Sequence, residues 1–272
     1  MSRWQKLFSS SPSTLRTGEG RSFVSARKQK NYHLVLSGGG LRWFAHIGVY
    51  KALVECGYHI KSVAGTSMGS LVGVFIAAGK TPQELEEIFT RKAYYMFLRP
   101  SFLGNGMLSA RKIKKILKKE HMDGDIADLK LDFSVCVWDF SEAKALYYTS
   151  GPIPEIVTAS CAIPGLFNAI QYDDKVLVDG GVFDNLPVST AEDLPIIASH
   201  VNPRMRDEDN PLKDISLRSL EMMVARDITD QSKKCDIFIE PPAIAKFGFG
   251  LGVKAQKFID VGYDHTIKLL RW

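Results

Sequence analysis

The sequence predicts an α/β fold, with helices layered on a sheet in one domain, because strand-like and helix-like segments alternate along the chain. Residues 33–37 form a short run of leucine and valine that ends in three glycines, which is typical of a buried strand entering a tight turn. Apolar residues then recur at helical spacing over 43–56, and Gly57 follows as a stop signal. The same unit repeats as a strand at 60–64, a glycine turn, and an apolar helix over 70–78.

The later segments keep this alternation. Thr81 fits the cap of a helix, because Pro82 occupies the first helical position and Glu84 stands three residues beyond the cap. We expect this helix to end near Lys92. The remaining expected elements are strands at 131–138 and 144–149, a helix near 153–161, strands at 175–178 and 195–201, a helix near 214–230, a strand at 235–239 and a closing helix near 254–270.

Length and composition exclude several classes of protein. The 272 residues are 45% hydrophobic and 24% charged, as in an ordinary globular protein and unlike a disordered, collagen-like or coiled-coil chain. The longest mostly apolar run, 71–78, is far below the roughly 20 residues that cross a bilayer, and no secretory signal is recognised. The four cysteines form no C-x-x-C pair, so we expect neither a zinc site nor disulfides. We therefore expect a cytoplasmic protein, able to associate peripherally with the inner face of a membrane.

Positive charge is concentrated near the N-terminus. Residues 1–30 hold seven of the 35 lysines and arginines but one of the 30 acidic residues, so the rest of the chain has a net charge of about −1. A serine-rich basic segment of this kind is typical of a flexible, solvated arm. It would also suit a nucleic acid or an anionic membrane, where each basic residue near the surface contributes roughly 1 kcal/mol. We take 1–30 as an arm and 31–272 as one domain.

The first candidate catalytic residue is Ser67, in the pentapeptide from Gly65 to Gly69. The serine lies where the second strand turns into the apolar helix, so its side chain should project from the top of the sheet. The two glycines keep neighbouring backbone clear of it, and the positive N-terminal end of the helix would stabilise a nearby anion. The pentapeptide is also compatible with a tight turn in which the serine only caps the helix.

A nucleophilic serine needs a base, and histidine is the usual candidate. The six histidines are His33, His46, His59, His121, His200 and His265. In the chain order serine, acid, histidine, only His200 and His265 come late enough. His200 lies inside a strand run and His265 on the last helix among charged residues, so neither stands on a loop suited to a catalytic base.

Asp179 is a better-placed candidate base. The strand over 175–178 delivers this aspartate directly into Gly180 and Gly181, where a sharp turn and a close approach are possible. Ligands bind at such strand ends in open α/β sheets. The tripeptide could also be a simple turn, and Asp139, at the end of an earlier strand, is the rival acid.

A third motif lies between the first strand and the first helix. It comprises Gly38, Gly39, Gly40, Leu41 and Arg42. Backbone N–H groups of successive glycines at a helix N-terminus converge on a small volume that suits a phosphate or the oxyanion of a tetrahedral intermediate. A dinucleotide fingerprint starting at Gly38 would need glycine at position 43, where this chain has Trp43, and the Gly-Lys-Ser/Thr of a P-loop is absent. With Ser67 available, an oxyanion hole is the economical interpretation.

These three motifs, in this order, closely resemble the patatin-like phospholipase family. The resemblance covers about 31–270 and includes the flanking segments 45–49, 159–165 and 181–187. It implies a three-layer α/β/α sandwich with a central, mostly parallel sheet. Trp43 is a departure, since many bacterial members carry a small residue there, and it bears on the width of the pocket mouth.

The resemblance also implies the site and the reaction. Ser67 would be the nucleophile and Asp179 the base of a Ser–Asp dyad, the Gly38–Gly40 loop would form the oxyanion hole, and no metal or organic cofactor is expected. The substrate would be a phospholipid or another acyl ester, cleaved through an acyl-enzyme by a phospholipase A or lysophospholipase reaction. A thioesterase or acyltransferase with the same dyad, and a catalytically idle lipid- or nucleotide-binding module, remain alternatives. No nucleic-acid partner is expected.

Two further segments bear on the substrate. Residues 94–108 are rich in aromatics and methionine, so they suit either a mobile apolar wall for acyl chains or a loop that covers the core. Residues 111–119 predict a basic helix with Ile113, Ile116 and Leu117 on one side. Such a helix suits an anionic membrane surface, or it has an ordinary solvated face.

Overall fold

The computed structural model describes residues 30–90, 111–203, 228–247 and 252–271, and it contains a mixed sheet of eight strands. The strands are β1 (Asn31–Leu36), β2 (His59–Thr66), β3 (Asp132–Asp139), β4 (Lys144–Tyr148), β5 (Ile170–Tyr172), β6 (Lys175–Asp179), β7 (Ile196–Ser199) and β8 (Ile237–Ile239). They are ordered β5-β6-β3-β2-β1-β7-β8, and β4 pairs with β3. The strands from β3 to β8 in this order are all parallel, whereas β4, β5 and β6 pair antiparallel. The predicted α/β fold with a mostly parallel sheet is therefore confirmed.

Helices connect these strands. They are α1 (Phe44–Glu55), α2 (Met68–Ala77), α3 (Pro82–Thr90), α4 (Arg111–Lys119), α5 (Ile153–Ser160), the short α6 (Thr229–Ser232) and α7 (Ala255–Leu270). Short 3-10 turns follow β1 at Gly40–Trp43 and β6 at Gly180–Val182. The predicted strands and helices that fall within the described ranges are present, and β5 is an addition. Most of the predicted helix near 214–230, the segment 94–108, the helix end near Lys92 and the arm, apart from Lys30, lie outside the described residues.

The core occupies both faces of the sheet at β1, which lies between β2 and β7. Leu34 and Leu36 of β1 belong to the larger apolar cluster, which includes residues of α1 and α2, and both are fully buried. Val35 points to the opposite face, since successive strand residues alternate, and it packs in a second cluster with Leu186 and Ala198. All ten residues of α2 are buried. The loop that precedes α2 is thus anchored to an element with no solvent-exposed face.

The basic helix α4 is present as predicted, but its apolar side is not available to a membrane. Ile113, Ile116 and Leu117 are at most 4% exposed and belong to the larger core cluster. Its partly exposed Lys114 forms an ion pair with Glu155 of α5. Only the lysine side of α4 can therefore meet an external surface. Within the described ranges, no helix combines the length and apolarity needed to cross a bilayer.

Strand β3 brings the carboxyl ends of two other strands together. Residues 135–136 pair with both β2 and β4, and residues 137–139 pair with both β4 and β6. Because a strand has two edges and β4 occupies one of them throughout, β2 and β6 share the other edge. β2 is parallel to β3 and ends at Thr66, whereas β6 is antiparallel and ends at Asp179, opposite successive residues of β3. The residue that follows Thr66 therefore faces the end of β6.

Candidate active site

Ser67 occupies a strained turn between β2 and α2. Its backbone has φ 54° and ψ −130°, a left-handed conformation that costs about 1–3 kcal/mol for a residue with a side chain. Gly65 and Gly69, the two glycines of the pentapeptide, permit the close packing around it. A Cβ on Gly65 would lie 2.6 Å from the amide nitrogen of Ser70, and one on Gly69 would collide with the carbonyl oxygens of β1 and the residue after it. The geometry is that of a sharp strand-to-helix elbow with an outward serine side chain.

Ser67 and Asp179 lie in hydrogen-bond contact although they are 112 positions apart in the chain. The hydroxyl of Ser67 donates to Oδ2 of Asp179 at 2.5 Å, and the N–H of Gly181 donates to Oδ1 at 2.8 Å. The two residues are only 5% and 4% exposed. Gly180 also needs its missing side chain, since a Cβ there would lie 2.6 Å from the carbonyl oxygen of Cys136. The turn of two glycines after Asp179 thus brings its carboxylate to the serine.

Burial raises the proton affinity of the Asp179 carboxylate. Loss of solvation raises the pKa of Asp179 from 3.8 to about 7, while the hydrogen bonds from Ser67 and Gly181 act in the opposite direction. A carboxylate with a pKa near neutrality is a stronger base than an exposed one and can accept a proton from a hydroxyl. The pair therefore has the arrangement that a nucleophile and its general base require.

A small pocket opens in front of this pair. It is lined by Gly38, Gly39, Gly40, Ser67, Ile163, Pro164, Asp179, Gly181, Val182 and Asn185. The glycine loop (residues 38–40), Ser67 and the acid turn (residues 179–181) all contribute to this lining, and apolar side chains supply much of the remaining surface. Such a mixture of an apolar lining and a few polar groups is typical of a small-molecule site.

The five residues predicted for the oxyanion hole are not equivalent. The N–H of Gly38 donates to the backbone oxygen of Asn185 at 3.3 Å, and the N–H of Arg42 donates to the oxygen of Gly39 at 3.0 Å. Neither N–H points freely into the pocket, and Leu41 does not line it. Gly39 and Gly40 line the pocket, and their N–H groups donate to no other group among the described residues.

The glycine loop is hydrogen-bonded to a buried polar network that could not be predicted from the sequence. The side-chain amide of Asn202 donates to the oxygen of Gly38 at 2.5 Å and accepts from Arg42 at 3.2 Å. His46 bridges the oxygen of Ser37 at 2.9 Å and the hydroxyl of Ser199 at 2.8 Å, and burial lowers its pKa to about 4. The one available signal for Asn202 was its position just after the predicted strand at 195–201.

A second set of hydrogen bonds, centred on Asp184, holds the loop that follows the acid turn. The buried carboxylate of Asp184 accepts hydrogen bonds from the hydroxyl of Tyr147 at 2.6 Å and from the side chain of Gln231 at 2.9 Å. Its backbone oxygen accepts from the hydroxyl of Thr66, the last residue of β2, at 2.9 Å. The loop after Asp179 is thereby tied to the strand that carries the serine.

The alternative bases lie elsewhere. The hydroxyl of Ser67 donates to Asp179, and none of the six histidines, all within the described ranges, hydrogen-bonds to either residue. His200 pairs with Glu240 at 2.7 Å, and His265 lies on α7. The rival acid Asp139 accepts from the amide of Ser141 at 3.0 Å in the turn between β3 and β4.

Comparison with known proteins agrees with this arrangement of elements. The family model described as Patatin-like phospholipase matches residues 34–192. An uncharacterized NTE family protein of Mycobacterium tuberculosis is 35% identical over 158 residues, which cover 57% of this chain and 44% of that protein. A lysophospholipase of Emericella nidulans is 32% identical over 162 residues, which cover 57% of this chain and 11% of that protein. The matched region therefore spans less than half the length of these relatives.

A solved structure supports the fold independently. VipD from Legionella pneumophila superposes with a TM-score of 0.56 at 16% sequence identity, and the match covers 89% of this chain and 67% of that chain. At this identity the likeness concerns the fold alone.

We predict that Asp179→Asn stabilises the folded chain, most strongly at alkaline pH. Because the pKa of Asp179 is raised from 3.8 to about 7, the folded state keeps a proton between these pH values that the unfolded state has released. The wild-type fold therefore loses about 4 kcal/mol of stability as the pH rises from about 4 to about 7 and regains none above that range, whereas asparagine does not titrate. Urea unfolding at pH 8 should show the variant as the more stable protein. At pH 5 the gap should be less than half as large, and a gap independent of pH would contradict the buried, ionisable carboxylate.

Proposed function

We propose that this chain, which belongs to the patatin-like phospholipase family, is a serine hydrolase that cleaves fatty-acyl esters of phospholipids. The observation that carries the proposal is the 2.5 Å hydrogen bond from the hydroxyl of Ser67 to the buried carboxylate of Asp179. Glycine amides lie in the same pocket, so a nucleophile, a base and oxyanion donors are available in one place.

In the first half of the reaction, Asp179 accepts the proton of the Ser67 hydroxyl as the oxygen attacks the acyl carbonyl carbon. The carbonyl oxygen becomes an oxyanion, which the N–H groups of Gly39 and Gly40 stabilise. The tetrahedral intermediate then collapses, the ester C–O bond breaks, and the leaving alcohol takes the proton from Asp179. The acyl group remains on Ser67 as an ester.

In the second half, a water molecule replaces the alcohol. Asp179 accepts a proton from the water as its oxygen attacks the acyl-enzyme, and the same amides stabilise the second oxyanion. Collapse breaks the bond to the Ser67 oxygen, which recovers its proton from Asp179. A fatty acid leaves and the pair returns to its starting state.

The substrate class is inferred from the pocket and the relatives. Ile163, Pro164 and Val182 place apolar surface beside the serine, as an acyl chain requires. The fungal relative that shares this region bears the name lysophospholipase. We therefore assign a phospholipase A or lysophospholipase reaction, with released fatty acid as the common product.

The test is a lipid panel assay scored for released fatty acid and lysolipid. We expect Ser67→Ala and Asp179→Asn each to reduce turnover at least about 10³-fold while the proteins stay folded, because each removes one member of a pair that acts as a unit. Asp139→Asn is the matched control, since this carboxylate, on the last residue of β3, accepts from the amide of Ser141 in the following turn, and its replacement should leave turnover nearly unchanged.

The opposite pattern would contradict the dyad. Near-normal turnover in Asp179→Asn together with a loss in Asp139→Asn would assign the base to the rival acid. Acyl transfer to an added alcohol acceptor in preference to water would instead identify an acyltransferase that uses the same pair.

We also propose that basic residues bring the protein to an anionic membrane surface. Lys115 and Lys118 are exposed on the outer side of α4, and the first 30 residues contribute seven further positive charges. The buried apolar side of α4 does not enter the bilayer, so the attraction is electrostatic and sensitive to salt.

Vesicle cosedimentation tests this attraction. Binding to vesicles that contain anionic lipid should exceed binding to neutral vesicles and fall as salt is raised. The double variant Lys115→Glu/Lys118→Glu should bind at least about 30-fold more weakly, since the two lysines together contribute roughly 2 kcal/mol near the surface. Lys257→Glu/Lys268→Glu, which makes the same charge change on exposed positions of α7, is the control. Binding that ignores lipid charge and salt would contradict the proposal.

A further inference from the structure

The hydroxyl of Ser160, the last residue of α5, lies directly behind the elbow. It accepts a hydrogen bond from the backbone N–H of Ser67 at 2.8 Å and donates one to the backbone oxygen of Cys136 in β3 at 2.7 Å. The directions are fixed, because a backbone N–H can only donate and a carbonyl oxygen can only accept. Ser160 is fully buried, so bulk water does not compete with its hydroxyl for these two hydrogen bonds.

The N–H of Ser67 depends on this hydroxyl for a partner. β2 ends at Thr66 and α2 begins at Met68, so Ser67 falls between the strand ladder and the helix. On the other side of the residue, the carbonyl oxygen of Ser67 accepts from both the N–H and the hydroxyl of Ser70, at 2.9 and 2.6 Å. The strained backbone of Ser67 is thus held at both of its polar groups.

The same short segment also holds the acid. The N–H of Asp179 donates to the oxygen of Ala162 at 3.0 Å, two residues after Ser160. Ile163 and Pro164 follow immediately and line the pocket. The 160–164 segment therefore contacts the backbone of both members of the Ser–Asp pair and continues into the pocket lining.

We propose that Ser160 is a positioning residue for ester hydrolysis: its hydroxyl holds the backbone of Ser67 in the left-handed conformation that places Oγ on Asp179. The proposal rests on the proposed function, since it concerns the same serine. Removing the hydroxyl leaves the N–H of Ser67 and the oxygen of Cys136 buried without this bridge, and the elbow can relax towards ordinary backbone angles. A shift of about 1 Å in a reacting atom can lower a rate about 100-fold.

The chain offers a closely matched control for Ser160→Ala. Thr158 lies on the same helix, is 2% exposed, and its hydroxyl has no hydrogen-bond partner within the described residues. Thr158→Val therefore removes a buried hydroxyl from the same environment without touching the elbow. Both variants should be compared with the wild-type protein for thermal unfolding and for steady-state ester hydrolysis.

We expect Ser160→Ala to lower kcat by about 10- to 100-fold with a change in KM of less than about twofold. Thr158→Val should keep both constants within about twofold. The acid limb of the pH–rate profile should also move to higher pH in Ser160→Ala, because the hydrogen bond from Ser67 lowers the pKa of Asp179 and would be weakened. A purely structural role would lower the unfolding temperature and leave the acid limb in place.

Ser160→Cys covers the case in which Ser160→Ala does not fold. A thiol is larger than a hydroxyl but keeps one weak donor and one weak acceptor at the same position, so we expect a kcat between those of the wild type and Ser160→Ala. A folded variant at position 160 with wild-type kcat and an unmoved acid limb would overturn the role of Ser160 alone. Absent ester hydrolysis in the wild-type protein would contradict the proposed function and this role with it.

Discussion

The carboxyl ends of β2 and β6 meet on one edge of β3, and the rest of the site depends on this meeting. β2 reaches the edge in the parallel sense and β6 in the antiparallel sense, so the two strands end opposite successive residues of β3. The residue after one strand and the last residue of the other are thereby brought into contact. If β6 were instead parallel to β3 and paired along its length, β2 and β6 would lie on opposite edges of β3, and that strand would separate their ends.

This meeting requires two unfavourable features, a left-handed serine and a buried carboxylate. Opposing them are the full burial of α2, the glycine packing around the elbow and the hydrogen bonds that reach the pair from its surroundings. Asp184 ties the acid turn to β2, Asn202 supports the glycine loop, and the segment from Ser160 contacts both members of the pair. The left-handed serine and the buried carboxylate lower the stability of the fold, and the contacts of the rigid surroundings offset this loss. Such a relation is usual between a preorganised site and its scaffold.

Much of this arrangement could be predicted from the sequence, because strands, glycine turns and capping residues leave local signals. The capping box is an example: the carboxylate of Glu84 accepts from the N–H of Thr81 at 2.8 Å, as their spacing predicts. The structure also brings together Ser67 and Asp179, which the sequence could select as candidates only from their positions after strands.

The supporting residues could not be predicted, since apolar periodicity reports burial and says nothing about which polar atoms meet across the fold. Asn202 looks like an ordinary residue after a strand, and Ser160 lies in a segment that resembles the family but carries no signal of the atoms that its hydroxyl contacts. Periodicity also cannot say whether an apolar helix face packs on a core or on a membrane, and in α4 it packs on the core.

The most direct measurement of the central claim is the rate at which a fluorophosphonate labels the protein as a function of pH. The label should map to Ser67, and its rate should rise about tenfold per pH unit up to about pH 7, then level off, with this dependence lost in Asp179→Asn. Labelling at another residue, or an unchanged pH dependence in Asp179→Asn, would contradict the account.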